Sequence, residues 1–242
     1  MKESLTNRKF ENILKIIEKE LFTNEYPSIC SLHDISPDKD SHNCIACNLA
    51  GNVINLKDAA DLLSKSTKSL SYPADEAFAE KTYILWLYLL SENIHEVLKL
   101  ISYPQDIKNK DFKNTITIKR WANFLKHPKA FLLTHHPAYC DLATLPFEPH
   151  HSGLEGITII DDEFINKFYS GDKNNKELYT ILQNNQSTLV LLPDLEILTK
   201  GIADELNQLS EKIKHNNEYS KILTDKASIE DYLSGAQADS SD

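Results

Sequence analysis

The sequence predicts an α+β protein that is mainly α-helical: a helical bundle with a zinc-stapled N-terminal segment and a small C-terminal sheet. Three observations carry this. Apolar residues recur at helical spacing through the N-terminal half. Short apolar, β-branched runs bounded by turn residues appear in the C-terminal half. Three of the four cysteines fall between positions 30 and 47, beside histidines. The chain has 242 residues, 41% of them hydrophobic, which suits one large domain or two small ones with a packed core.

The first helix is expected from about Arg8 to Phe22. Phe10, Ile13, Leu14, Ile17 and Leu21 stand at i, i+3, i+4, i+7 and i+11 and form one face. Residues 23–52 are punctuated by Pro, Asp, Ser, Asn and Gly and read as irregular. Asn55 can cap a short helix to about Ser66. Pro73, with Asp75 and Glu76 behind it, opens a long helix to about Ile101. Its middle is apolar nearly all round, which places it at the centre of a bundle. A basic loop follows, then a helix from about Thr115 to His127 that Pro128 ends. Beyond it, residues 130–134, 156–160 and 187–192 read as strands. Helices are expected near 162–170, 176–184 and 194–215. These elements divide into a helical bundle (1–128, with the zinc-knuckle segment at about 23–52), an α/β portion (129–235) and a disordered tail (236–242).

The longest strongly apolar run is Tyr83–Leu90, far short of the roughly 20 residues a membrane span needs. The N-terminus is polar from the start, without the apolar core of a signal peptide. A cytoplasmic protein with reduced cysteines is therefore expected. There is no Walker loop and no dinucleotide-binding glycine fingerprint.

Cys30-x2-His33 and Cys44-x2-Cys47 form two knuckles, joined by a stretch of turn-forming residues. Each pair can chelate from a tight turn, and four N/S ligands suit tetrahedral structural Zn²⁺. His42 is an alternative to His33. Four protein ligands leave no open position for water, so the predicted role is structural. His135, His136, His150 and His151, with Asp141 and Glu148 nearby, are a weaker candidate for a second metal site. Adjacent histidines on a strand point to opposite faces, so one of each pair at most ligates easily. Cys140 is a weaker candidate nucleophile, for which no triad partner can be chosen.

Net charge is -10, against indiscriminate nucleic-acid binding. The window 99–129 nevertheless holds Lys99, Lys108, Lys110, Lys113, Lys119, Arg120, Lys126 and Lys129 against only Asp106 and Asp111. Such a local basic stretch is a candidate RNA-contact surface. Within it, Ile118, Trp121, Ala122 and Leu125 share the face expected to pack inward. Arg120, Asn123, Phe124 and His127 fall on the opposite face. Arg120, Asn123 and His127 lie within about 60° on the helical wheel. An imidazole can move the proton of a ribose 2′-OH, a guanidinium can stabilise charge on the phosphate, and an amide can orient either. This set fits RNA cleavage, because DNA lacks the 2′-OH. Arg120 is one of only two arginines beside 24 lysines.

An amphipathic helix bearing Arg-x6-His after a capped helix and a long apolar one resembles the HEPN superfamily of helical nucleases over about residues 56–128. The resemblance implies two protomers joining two motifs into one RNA-cleaving site, with Arg120 and His127 catalytic and Asn123 the polar residue between them. It implies a toxin or an antiviral-defence effector. The chain departs from the pattern in its long spacing, in Trp121 directly after the arginine and in the more than 100 residues that follow. The competing expectation is a non-enzymatic, zinc-containing interaction or accessory subunit of a multi-protein complex. Its acidic surface would then meet a basic partner.

Overall fold

The computed structural model describes residues 5–21, 45–67, 73–126, 157–169 and 188–224. Among them are eight α-helices and one two-stranded parallel sheet. Helix α1 (Leu5–Ile16) continues into a π-helical turn, Ile17–Leu21. The predicted face is the buried one, with Phe10, Ile13, Ile17 and Leu21 fully buried.

Helix α2 (Ile45–Thr67) begins about ten residues before the predicted cap at Asn55. Leu49, Val53 and Leu56 continue the apolar stripe and are buried against α1 and α3. That packing outweighs the turn-forming residues around Gly51, so Asn55 is an exposed mid-helix residue rather than a cap. Helix α3 (Pro73–Leu100) is the predicted central helix and packs against α2 and α5. It ends on a left-handed residue, Ser102 (φ 49°). The Tyr103 N–H donates to the Leu98 carbonyl and the Ser102 N–H to the Lys99 carbonyl, both at 2.9 Å. This is a Schellman cap built on serine instead of glycine.

The predicted basic loop contains a short helix, α4 (Gln105–Asp111), so the loop expectation is corrected. Phe112, 1% exposed and edge-on to Tyr103, anchors the end of that helix in the core. Helix α5 (Lys113–Lys126) follows at once. Ile118, Trp121 and Ala122 are fully buried as predicted. Phe124 is fully buried too, against the expectation that it lies on the outer face. Its ring meets Trp121 and Tyr169 edge-on, because the chain after β1 covers that side of α5.

Strands β1 (Ile157–Asp161) and β2 (Thr188–Leu192) fall where two of the apolar runs predicted them. They pair in parallel from Ile157↔Thr188 to Asp161↔Leu192. Parallel neighbours need a long crossover, and this one opens with α6 (Asp162–Phe168). After β2 come α7 (Leu195–His215) and α8 (Asn217–Thr224), the latter not anticipated. Each of α6 and α7 starts on an aspartate. Asp161 accepts from the Phe164 N–H at 2.8 Å and Asp194 from the Ile197 N–H at 3.0 Å. The predicted strand at 130–134, the helix at 176–184 and the tail at 236–242 lie outside the described residues.

Buried side chains from Phe10 to Leu223 form one hydrophobic cluster that includes residues on both sides of Pro128. A carboxylate locks α5 to α7. Glu205 Oε1 accepts from the Asn114 backbone N–H at 2.6 Å and side-chain amide at 2.9 Å. Its Oε2 accepts from the Thr115 N–H at 2.9 Å and hydroxyl at 2.6 Å. The carboxylate thereby satisfies two orphan donors at the start of α5 from another helix. Gly201 sits one turn earlier, where a Cβ would overlap the Asn114 side chain. No helix among the described residues is long and apolar enough to cross a membrane.

Candidate functional site

A cleft of about 510 Å³ opens where α4, α5, α6 and α7 meet, and Arg120 lines it. The arginine does not project freely. Its Nη1 donates to Asn166 Oδ1 at 2.7 Å and to the Asn166 backbone carbonyl at 3.3 Å. Asn166 Oδ1 also accepts from the Thr117 hydroxyl at 3.0 Å. Among the described residues both hydrogen bonds of Arg120 leave from Nη1, so the edge with Nη2 and Nε is left for an anion. Lys113 and Asn109 add donors to the same walls.

One carboxylate faces this set. Asp162 lines the cleft one helical turn before Asn166. Residues at i and i+4 share a helix face, so α6 grips two consecutive residues of α5. Asn166 holds Arg120, and Asp162 Oδ1 accepts from Trp121 Nε1 at 2.6 Å. Burial of Asp162 beside the Asp194 and Asp161 carboxylates pushes its pKa up to about 6. The hydrogen bonds from Trp121 and the Asp194 backbone act the other way. A carboxyl group titrating there exchanges protons close to neutrality. Asp162 also borders a second cleft of about 690 Å³, lined by Lys9, Asp161, Glu163, Asp194 and Glu196.

The basic window divides between two faces. On the α3 side its charges are matched by residues from outside the window. Lys99 pairs with Glu96 at 2.6 Å and Lys119 with Glu92 at 2.9 Å. Lys126 sits 3.7 Å over the Tyr88 ring, and buried Lys108 contacts His95 Nε2 at 3.0 Å. Lys113 and Arg120 face the cleft, and Lys110 is exposed. The local charge excess counted along the chain is thus partly cancelled in space.

Of the predicted catalytic residues, Arg120 is in the cleft. Asn123, one turn on, is half-buried and does not line it. His127 is the residue after α5 and lies outside the described residues, as do His135, His136, Cys140, Asp141, Glu148, His150 and His151. Of the predicted zinc ligands, Cys30, His33 and Cys44 also lie outside, with His42. Cys47 belongs to the first turn of α2, where its side chain is not described. Among the described residues no group of three or more His, Cys, Asp or Glu is placed to hold a metal ion.

Comparisons with protein-family models, curated proteins and solved structures find no match. The site therefore rests on its own residues. Asp162 and Asn166 are not among the residues that the motifs of the sequence single out. A signal was present: two aspartates closing an apolar strand mark the C-terminal edge of a parallel pair, where α/β proteins place ligands.

Proposed function

We propose that the protein is a metal-independent endoribonuclease of HEPN type, acting as a toxin or antiviral-defence effector. One observation carries the reading: Arg120 is clamped by Asn166 on the wall of a donor-rich cleft, with an edge of its guanidinium left for a phosphate. In this reading Arg120 stabilises charge on the scissile phosphate, His127 is the acid–base group and Asn123 orients the substrate or the imidazole. Lys113 adds phosphate attraction from the basic window, and homodimerisation joins two motifs. Cys30, His33, Cys44 and Cys47 hold a structural Zn²⁺.

The test is RNA cleavage without added divalent metal by wild type, Arg120→Lys and His127→Ala, with folding and zinc content checked in each. Lysine cannot reproduce the planar contact. Each variant is expected to retain its fold and to lose about 10²–10³-fold in cleavage rate. Equal rates in all three would sink the proposal.

A second reading, a zinc-containing interaction or accessory subunit, is favoured by an exposed apolar set on the α2–α3 pair. Leu62 is 66% exposed, and Ile54, Leu85 and Leu89 are exposed with it. Intact folding and dimerisation with no cleavage by any form would favour that reading.

A further inference from the structure

We propose that the Arg120 cleft is a one-nucleotide subsite for an unpaired stretch of RNA. Arg120 and Lys113 take the two phosphates that flank one nucleotide, and Ile197 with Ile116 takes the face of its base. The proposal deepens the ribonuclease reading and rests on it for the choice of RNA, while its geometry rests on the cleft alone. Lys113, Ile116, Thr117 and Arg120 stand at i, i+3, i+4 and i+7 of α5, and all four line the cleft. The two cations are therefore two helical turns apart, about 10 Å along the axis. Consecutive phosphates of an extended strand can meet both, because each side chain is long enough to lean inward. Asn166 pins Arg120 through Nη1, which leaves the Nη2 and Nε edge for one phosphate. Lys113 is exposed at the other end of the row.

Helix α7 supplies the apolar wall. Leu198 is buried in it, whereas Ile197 is 61% exposed, and half-buried Ile116 lines the same space. Asp194 accepts from the Ile197 N–H at 3.0 Å, which fixes the start of α7 and with it the place of this side chain. Covering such an aliphatic surface is favourable, and a base offers a flat apolar face on the same molecule that carries the phosphates. A base that is paired and stacked in a duplex does not present that face, so the strand must be unpaired. A phosphorylated peptide fits less well, since its phosphates sit on separate side chains and not at a fixed backbone repeat. Ile197 also borders the second cleft, where Asp161, Glu163, Asp194 and Glu196 repel an anion. The strand is thereby confined to the α5 side. Asp162 already accepts from Trp121 Nε1 and the Asp194 backbone, and it takes no part in holding the ligand.

The experiment measures binding of three probes to the full chain: a 2′-O-methyl RNA octamer, which cannot supply the nucleophile, the same backbone with every base removed, and the octamer annealed to its complement. Wild type, Ile197→Ser and Lys113→Met are compared. Both residues are exposed, so the variants are expected to keep the wild-type urea midpoint. Wild type is expected to bind the octamer at least about fivefold more tightly than the baseless strand, a comparison that needs no variant. Ile197→Ser should weaken the octamer about five- to tenfold and leave the baseless strand and the duplex within about twofold. Lys113→Met should weaken octamer and baseless strand alike. It should also lower the slope of log affinity against log salt by about 0.7, the value of one phosphate contact on a single strand.

An octamer that fails to bind overturns the subsite. Equal effects of Ile197→Ser on the octamer and the baseless strand, or no effect on either, overturn the base platform. A duplex that loses as much as the single strand overturns the requirement for unpaired RNA. An unchanged salt slope in Lys113→Met overturns the second phosphate contact. A phosphopeptide that shows both dependences overturns the choice of RNA. The expected binding pattern without cleavage of unmodified RNA by the wild type overturns the ribonuclease reading instead, and leaves the nucleotide subsite standing.

Discussion

His95 acquires its charge state from its neighbours. Its Nε2 lies 3.0 Å from the Lys108 ammonium, which can only donate, so that nitrogen accepts and the ring is neutral. Burial, with Lys108, Lys119 and Lys99 close by, pushes the His95 pKa down to about 4 from 6.5, and Glu92 opposes the shift only in part. The unfolded chain therefore takes up this proton more readily. Stability contributed by neutral His95 is complete above about pH 6.5 and falls as pH drops towards 4. Urea midpoints measured across that window should decline, and His95→Gln, which keeps an acceptor for Lys108, should flatten the decline relative to wild type. Parallel curves for the two proteins would refute this account. Nothing local marks His95 in the sequence, because Lys108 is 13 residues away and approaches only when α4 folds back onto α3. Asp162 is similar. Its carboxylate is unremarkable in sequence, and its environment is made by Trp121 and Asp194 from other elements.

At the scale of elements, helix α5 shows how much of a helix's boundary is set from outside it. Its C-terminal end was legible, since Pro128 cannot continue a helix. Its start at Lys113 lies two residues before the Thr115 that local pattern indicates, because the group that satisfies its first N–H donors is Glu205, about 90 residues on. Glu205→Ala would leave the Asn114 and Thr115 donors buried without an acceptor. We expect a loss of about 2–3 kcal/mol, read from urea denaturation, with the fold retained. A change under about 0.5 kcal/mol would show that water replaces the carboxylate. The inward face of α5 followed from its 3.6-residue period, but Phe124 did not. Helical periodicity identifies one buried stripe, and it carries no information about a second element covering the opposite side.

For the whole molecule, one hydrophobic cluster joins the N-terminal helices to α7 and α8, so the bundle is completed by residues near the C-terminus. A zinc staple that ties the segment before α2 to the first turn of α2 should then stabilise more than that segment alone. If Cys30, His33, Cys44 and Cys47 hold Zn²⁺, purified protein should contain one equivalent, and Cys44→Ser should lose it. The loss should lower the unfolding midpoint of the entire cooperative transition, because α2 packs on α1 and α3. Metal analysis beside calorimetry decides this. Absence of zinc from the wild type, or an unchanged midpoint without it, would remove the staple.

The sequence by itself determined the helical class, the buried stripes of α1 and α3, the two strands and the residue types in play at Arg120. These follow from period, chain stiffness and turn chemistry, which act over a few residues. Only the tertiary structure decided which basic residues are neutralised, where α2 and α5 begin, and that Arg120 shares a cleft with Asp162 under the hold of Asn166. Apart from the Lys99–Glu96 pair, which lies within one turn of a helix, those outcomes depend on partners between 13 and about 90 positions away. Desolvation and hydrogen bonding act through space, and distance along the chain does not encode them.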